Sequence, residues 1–330
     1  MELKREMPLL SIEGLVTTFR MHGGTGNAVD EIYLDIGRGE TVGLVGESGC
    51  GKSMTAMSVM GLLPDMAKIT AGKILFAGED LAKYDRSKML KITGDRISMI
   101  FQEPMTSLNP VKTVGHQVRE AILLHQKVSR KEAKARVIDI FQKVGIPEPE
   151  RRYGQYPHQL SGGLRQRVMI GMAMVCSPDL LIADEPTTAL DVTIEAQILR
   201  LMGALQKEQG TSILMITHNL GVVAEICDRV YVMYAGQVVE QADVYQLFKS
   251  PAHPYTLGLL KSLPRIREDQ GRLESIRGMV PSLAHMPKGC RFSPRCDQAC
   301  DRCRNEAPPL YDLGGGHKAR CFLMEKEGGV

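Results

Sequence analysis

The stretch that most constrains this chain is residues 46–53, Gly-Glu-Ser-Gly-Cys-Gly-Lys-Ser. It follows an apolar run, Thr41–Val45, that predicts a buried strand, and it precedes residues 54–60, which predict a helix. Between a strand and a helix, a glycine-rich loop lets backbone N–H groups face one anion, and the helix N-terminus adds its positive end. The pattern therefore predicts a phosphate-binding loop. The expected contacts are Gly46, Glu47, Ser48, Gly49, Cys50, Gly51, Lys52, Ser53 and Met54.

Composition excludes several classes of protein. Apolar residues make up 43% of the chain and charged residues 24%, as in ordinary globular proteins. The net charge of +3 is too small to indicate nucleic acid, so we expect no nucleic-acid partner. The sequence has no run of about 18 apolar residues, and its N-terminus lacks the pattern of a secretory signal. We expect a cytosolic chain that reaches a membrane only through a partner.

Polar side chains follow three further apolar runs that predict strands. Gln102 follows residues 96–101, Asp184 and Glu185 follow residues 180–183, and His218 comes soon after residues 212–216. Ligands bind at the carboxyl edge of open α/β sheets, so these side chains are candidates for chemistry. Residues 114–145 show helical periodicity, and Ser161 predicts the N-cap of a helix over residues 164–175. Alternating strands and helices predict a mostly parallel sheet.

Together these motifs resemble the ATP-binding subunits of ABC transporters over about residues 9–260. The resemblance rests on six elements in the family's order: the phosphate loop, Gln102, residues 160–163, residues 181–185, residues 189–191 and His218. It implies an α/β fold, a phosphate-loop ABC ATPase core with an antiparallel β subdomain and a helical subdomain. The implied boundaries are an ATP-binding domain at 1–260, with its helical insert at about 103–175, and a Cys-rich extension at 261–330.

The resemblance also implies a role for each site residue. Asp184, with Ser53 and Gln102, would hold Mg²⁺ beside ATP; Glu185 would polarise the attacking water, and His218 would contact the γ-phosphate. Phe19 would stack on adenine, with a core role as the alternative. Ser161, Gly162, Gly163 and Leu164 would act in trans on ATP held by a second subunit, and Asp191 would lie at that interface. Leu164 replaces the family's usual Gln, and Cys50 replaces a common Ser as a tolerated small residue or a redox switch.

Finer motifs resemble the oligopeptide, dipeptide and nickel importer branch: residues 101–110, 156–160 and 253–256, and the tail. They imply ATP hydrolysis coupled to uptake of dipeptides or oligopeptides, with nickel import as an alternative. The implied partners are a paralogous ATPase subunit, two membrane permease subunits and an extracytoplasmic binding protein. The implied location is the cytoplasmic face of the inner membrane. A soluble ABC ATPase without membrane partners is the alternative from another class.

The Cys-rich extension at 261–330, here called the tail, contains five of the eight cysteines. Too few apolar residues remain there for an independent core, so a metal staple is expected. The resemblance assigns the ligands as Cys290, Cys296, Cys303 and Cys321 and leaves Cys300 outside the pattern. Four thiolates suit a [4Fe–4S] cluster, with Zn²⁺ or unmetallated thiols as alternatives. Nearby arginines would offset the charge of an anionic cluster: Arg291, Arg295, Arg302, Arg304 and Arg320.

Overall fold

A computed structural model of the chain describes residues 7–102, 107–188, 191–263 and 276–325. Within these ranges, no helix has both the length and the apolar character needed to cross a bilayer. Contacts within the chain divide it into two compact units. The helical unit comprises Met1–Leu9, Ile36–Glu40 and Lys83–Met215, and the sheet unit comprises Leu10–Asp35, Thr41–Ala82 and Ile216–Val330.

The described α-helices, numbered in chain order, are α1 Lys52–Met60, α2 Arg86–Ile92, α3 Val114–His125, α4 Arg130–Lys143, α5 Pro149–Tyr153, α6 Gly162–Met174, α7 Val192–Gln209, α8 Leu220–Ile226, α9 Val244–Lys249, α10 Pro254–Lys261 and α11 Asp301–Asn305. The described strands are β1 Leu10–Met21, β2 Gly24–Ile36, β3 Thr41–Val45, β4 Ala67–Phe76, β5 Glu79–Asp80, β6 Ile97–Ile100, β7 Leu180–Asp184, β8 Ser212–Thr217, β9 Arg229–Tyr234, β10 Gln237–Asp243, β11 Tyr311–Gly314 and β12 His317–Ala319.

The helical unit combines short parallel strands with a group of helices. β6 pairs with β7 in parallel, with Ile97 opposite Leu180. In α3, Val114, Val118 and Ile122 recur every four residues and are fully buried, which places them on one face. α4 begins at a cap in which the Ser129 hydroxyl accepts a hydrogen bond from the backbone of Glu132. These helices follow the periodicity seen in the sequence.

The sheet unit contains a four-stranded sheet, in the order β2-β1-β4-β5, in which β4 pairs antiparallel with β1 and with β5. A second group of strands has the order β11-β12-β10-β9-β3. There β3 and β9 are parallel, while β9–β10, β10–β12 and β11–β12 are antiparallel. The predicted α/β fold, with parallel pairs and an antiparallel β subdomain, is confirmed.

The C-terminal segment joins the core of the sheet unit and does not form a core of its own. Phe292 is 4% exposed and packs in one cluster with Tyr234 and Tyr255. Its ring centroid lies 5.2 Å from that of Tyr234 and 5.4 Å from that of Tyr255. β12 adds to the sheet through β10, with Glu240 opposite Ala319. The predicted domain boundary at 260/261 and the insert at 103–175 stay predictions.

A buried carboxylate fixes the C-terminal strands to the sheet. Glu240 is fully buried on β10 and accepts hydrogen bonds from the backbone N–H groups of Ala252 (2.7 Å) and His253 (2.8 Å). His317 on β12 donates a third bond from Nε2 to Glu240 Oε1 at 2.8 Å. One side chain therefore joins β10, β12 and the start of α10.

Replacing Glu240 with Ala is expected to lower the free energy of unfolding by about 3 to 5 kcal/mol, because three buried donors lose their acceptor. Denaturant unfolding followed by circular dichroism measures the change. The control is Glu306→Ala, whose exposed carboxylate pairs with Arg302 and which we expect to change stability by less than about 0.5 kcal/mol. Equal stabilities for the two variants would contradict this role of Glu240.

Candidate nucleotide site and four-cysteine pocket

The predicted phosphate loop lies between β3 and α1. At two of its glycines, neighbouring backbone atoms leave no room for a side chain. A Cβ on Gly46 would lie 2.1 Å from the carbonyl oxygen of Met233, and one on Gly51 would lie 2.4 Å from that of Ala28. Gly51 also has a φ of 109°, which favours glycine. The carbonyl oxygen of Cys50 accepts a hydrogen bond from Gly236 at 2.8 Å. The sheet unit therefore holds both ends of the loop closely.

Lys52 closes the loop on itself. Its ammonium group is nearly buried, and Nζ donates to the carbonyl oxygens of Gly46 at 2.8 Å and Glu47 at 3.1 Å. Between these points, Ser48 and Gly49 are exposed, and Ser53 and Met54 are half-buried in the first turn of α1. No side chain caps the N-terminus of α1. The loop therefore brings a cation close to an uncapped helix N-terminus, and both favour an anion.

Glu47 connects the loop to the C-terminal segment. The sequence did not predict this connection. Its backbone N–H donates to the hydroxyl of Tyr255 at 2.8 Å. Its carboxylate accepts two bonds from Arg295, at 2.8 and 3.1 Å. The one related signal in the sequence is the motif at residues 253–256, which contains Tyr255 and resembles the importer branch. Nothing in the sequence paired residues 47 and 295.

Cys50 is a buried thiol in the loop. It is 1% exposed, and burial raises the pKa of its thiol, so the group stays protonated. Reactive cysteines require exposure and a lowered pKa. This favours the tolerated small residue over the redox switch.

The predicted acidic pair lies at the end of β7 in the helical unit. Asp184 is 4% exposed, and Glu185 follows it with a φ of 46°. The Glu185 carboxylate accepts from Gln102 Nε2 and from the Thr188 hydroxyl, each at 2.9 Å. The structure thus brings Gln102 and Glu185 together, a contact that the sequence did not predict. A positive φ in a residue other than glycine is backbone strain of the kind found at functional sites.

His218 and Phe19 belong to the sheet unit. His218 is exposed just beyond β8, where the hydroxyl of Thr217 and the side chain of Asn219 bond to the backbone that starts α8. Phe19 lies on β1 opposite Ala67 and is half-buried, so it is not part of the fully buried core. Stacking of its ring on adenine stays a prediction.

The residues expected to act in trans lie at the start of α6. The Ser161 hydroxyl accepts from the backbone of Leu164 at 3.4 Å, so the predicted N-cap is present. Ser161 and Gly162 are exposed, while Gly163 and Leu164 are half-buried. Asp191 is exposed immediately before α7. Of the predicted motifs, Ala189, Leu190 and residues 103–106 lie outside the described residues.

The four predicted cysteine ligands line one pocket in the sheet unit. Cys290, Cys296, Cys303 and Cys321 share it with three groups of other side chains. The other lining residues are the aromatic rings of Phe292 and Phe322, the apolar Pro254, Pro308 and Leu323, and the polar His253, Ser293 and Gln298. In the described part of the chain, no three His, Cys, Asp or Glu side chains are arranged to hold a single metal ion.

Burial is the main influence on the pKa values of the thiols that line the pocket. It raises the pKa of Cys290 and Cys296, and it raises the pKa of Cys321 to about 11. Cys300 differs because it is exposed and does not line the pocket, although its Sγ lies 3.4 Å from that of Cys303. The metal-ligand set without Cys300 stays a prediction.

The flanking arginines do not line the pocket and bond elsewhere. Arg291 pairs with Asp30, Arg295 with Glu47, and Arg304 with Asp301. Arg302 pairs with Glu306 and Glu325, and Arg320 donates to the backbone oxygens of Val238 and Pro308. Their expected role as countercharges to a cluster gains no support from this arrangement.

A phosphate loop on a parallel strand, with an acidic pair ending another parallel strand, defines a phosphate-loop nucleotide-binding protein. A family model described as "ABC transporter" matches residues 29–188. Another, described as "Oligopeptide/dipeptide transporter, C-terminal region", matches residues 239–303. The chain belongs to the family of ABC transporter ATP-binding subunits that carry this C-terminal region. The predicted family and ATPase class are confirmed.

Relatives match the chain over nearly its whole length. It is 51% identical to the putative peptide import ATP-binding protein of Brucella ovis, over 97% of this chain and 98% of that protein. It is 47% identical to the dipeptide transport ATP-binding protein DppD of Escherichia coli K12, over 98% and 99%. Among solved structures, it resembles an ATP-binding cassette described as a dimer in a post-hydrolysis state bound to ADP and phosphate, with a TM-score of 0.65 and 27% identity. That match covers 71% of this chain and 98% of the cassette.

Proposed function

We propose that this chain is the ATP-hydrolysing subunit of a membrane importer for dipeptides or oligopeptides. The observation that carries this proposal is the match along the whole chain, tail included, to proteins named for peptide import. The closed phosphate loop and the Glu185 arrangement supply the ATPase chemistry that such an importer needs. A soluble ABC ATPase would have no need of the transporter-type C-terminal region.

Each residue of the proposed ATP site would have its own role in phosphoryl transfer. Lys52 and the loop N–H groups would hold the β- and γ-phosphates. Ser53, Gln102 and Asp184 would offer Mg²⁺ the oxygen ligands that hard cations prefer, and the ion would neutralise phosphate charge when bound. Glu185, oriented by Gln102 and Thr188, would polarise the attacking water. His218 would contact the γ-phosphate.

A second ATPase subunit would complete each site. Ser161 and Gly162 are exposed at the N-terminus of α6, and the positive end of a helix suits an anion held by another chain. Asp191 is exposed as an interface residue requires. We propose a paralogous ATPase as partner, with two permease subunits and an extracytoplasmic binding protein. The complex would place this chain at the cytoplasmic face of the inner membrane.

The four-cysteine pocket would hold a [4Fe–4S] cluster, with Zn²⁺ as the alternative. The donor set fits, because four thiols line one pocket whose other walls are largely apolar. Cys290, Cys296, Cys303 and Cys321 would be the ligands. When bound, the group would staple a segment that has no core of its own. The proposed domains remain an ATP-binding domain at 1–260 and a Cys-rich extension at 261–330.

Uptake in cells tests the substrate class. Cells lacking this chain are expected to lose uptake of a radiolabelled dipeptide and to recover it when the chain is restored, but not when the Glu185→Gln variant is supplied. Uptake of radioactive nickel ions, measured in the same cells, is expected to stay unchanged. Loss of nickel uptake with normal peptide uptake would instead support the nickel importer.

A further inference from the structure

We propose that Arg295 is a positioning residue for nucleotide binding: by holding Glu47, it fixes the phosphate loop in the shape that binds ATP. The inference rests on the proposed ATP-binding role of the loop. It assigns a function to a residue 248 positions away in the sequence, next to Cys296. Arg295 touches no nucleotide in this proposal and acts only through Glu47.

Arg295 is itself immobilised. Its side chain is 5% exposed, and Nε donates to the backbone oxygen of Arg277 at 2.8 Å. One terminal nitrogen also reaches the backbone oxygen of Ile276 at 3.4 Å, and the guanidinium carbon lies 5.7 Å from the centre of the Tyr234 ring. A planar guanidinium fixed on several sides presents its fork in one orientation. It can therefore define the position of a carboxylate.

Glu47 is held at three points, of which Arg295 supplies the side-chain one. Its N–H bonds to Tyr255, its carbonyl oxygen bonds to Lys52, and its carboxylate bonds to both terminal nitrogens of Arg295. Two residues further on, Gly49 has a φ of 78° and no atom within 4 Å of a Cβ placed on it. Fixing Glu47 therefore restricts the directions of the N–H groups that follow it directly.

The Tyr255 hydroxyl is suited to its part in this arrangement. Burial raises the pKa of Tyr255, so the phenol stays neutral and accepts the N–H of Glu47. Its ring is fully buried and packs at 4.7 Å from the Tyr234 ring. Tyr255, which packs on Tyr234, and Arg295, which lies over the Tyr234 ring, therefore hold Glu47 from the same side. Preorganised binding groups raise affinity because less order is lost on binding.

Replacing Arg295 with Met should weaken ATP binding about tenfold, because a charge-assisted bidentate contact that orders the loop is lost. The rate at saturating ATP is expected to stay within about twofold, since Glu185 is untouched. Arg295→Lys, which keeps the charge but not the fork, is expected to bind roughly threefold more weakly. Arg304→Met is the matched control, because Arg304 pairs with exposed Asp301 in the same segment, and its ATP affinity is expected to equal that of the wild type.

A double-mutant cycle shows whether Arg295 acts through Glu47. In a Glu47→Gln background, Arg295→Met is expected to cause no further loss of affinity. An equal loss in both backgrounds would overturn the proposal, as would wild-type affinity in both Arg295→Met and Arg295→Lys. If Arg295→Met does not fold, Arg295→Lys in the two backgrounds decides the same question. A wild-type chain that binds no ATP would instead refute the proposed function.

Discussion

The Glu185→Gln variant is expected to bind ATP as tightly as the wild type and to hydrolyse it at least about a hundredfold more slowly. The amide keeps the size of the carboxylate and can still accept hydrogen bonds from Gln102 and Thr188. It cannot draw a proton from water, so the loss falls on turnover. Equilibrium binding of a fluorescent ATP analogue and phosphate release measure the two quantities.

Glu195 offers a matched control in the same unit. Its carboxylate accepts a hydrogen bond from the hydroxyl of Thr187 at 2.7 Å, close in sequence to Glu185, and has no proposed role in hydrolysis. Glu195→Gln is expected to hydrolyse ATP at the wild-type rate. A Glu185→Gln variant that releases phosphate as fast as this control would remove Glu185 from the mechanism.

The second prediction with a large expected effect concerns the metal content of the tail. Replacing Cys296 with Ser is expected to abolish iron and sulfide incorporation, whereas the wild type should contain about four irons and four sulfides per chain. Cys296 lines the pocket with the other three proposed ligands, and a hydroxyl is a poor substitute for a thiolate ligand. Iron, acid-labile sulfide and zinc are measured on protein purified without oxygen.

Cys300 is the internal control for this experiment. It lies three residues from Cys303 but outside the lining of the pocket, so Cys300→Ser is expected to keep the full metal content. If Cys300→Ser loses the metal while Cys296→Ser retains it, the ligand set proposed for the pocket is wrong. One zinc and no sulfide in the wild type would establish the zinc alternative.

The buried strands could be predicted because their sequences are continuous apolar runs. β3 has the predicted bounds, β7 and β8 extend the predictions by one residue at the end, and β6 is one residue shorter than predicted at each end. The N-cap at Ser161 was also predictable, since capping is a local hydrogen bond. Local chemistry and spacing were sufficient for these features.

The C-terminal strands could not be predicted from local sequence. β11 and β12 are short and lack an apolar run, and they exist because β12 pairs with β10. The acceptor on β10, Glu240, is fully buried, although glutamate usually lies on the surface of proteins. Its partners lie up to 77 positions away, so only tertiary structure shows why it is there.

The same limit applies to the arginines of the tail. Clustered near cysteines, they were expected to offset the charge of a metal cluster, but Arg291 and Arg295 pair with Asp30 and Glu47 from the first part of the chain. A sequence shows the charge of a residue and not its partner. The contact that connects the tail to the phosphate loop was therefore visible only in three dimensions.

The measurement that tests the central claim most directly is peptide uptake in vesicles reconstituted with this chain, its ATPase partner, the permeases and the binding protein. The account predicts that a labelled dipeptide accumulates only when ATP is supplied on the side that exposes the ATPase subunits. It also predicts that Glu185→Gln in this chain lowers both accumulation and phosphate release. Peptide accumulation that continues without ATP, or that is unchanged by Glu185→Gln, would contradict the assignment of this chain as the motor.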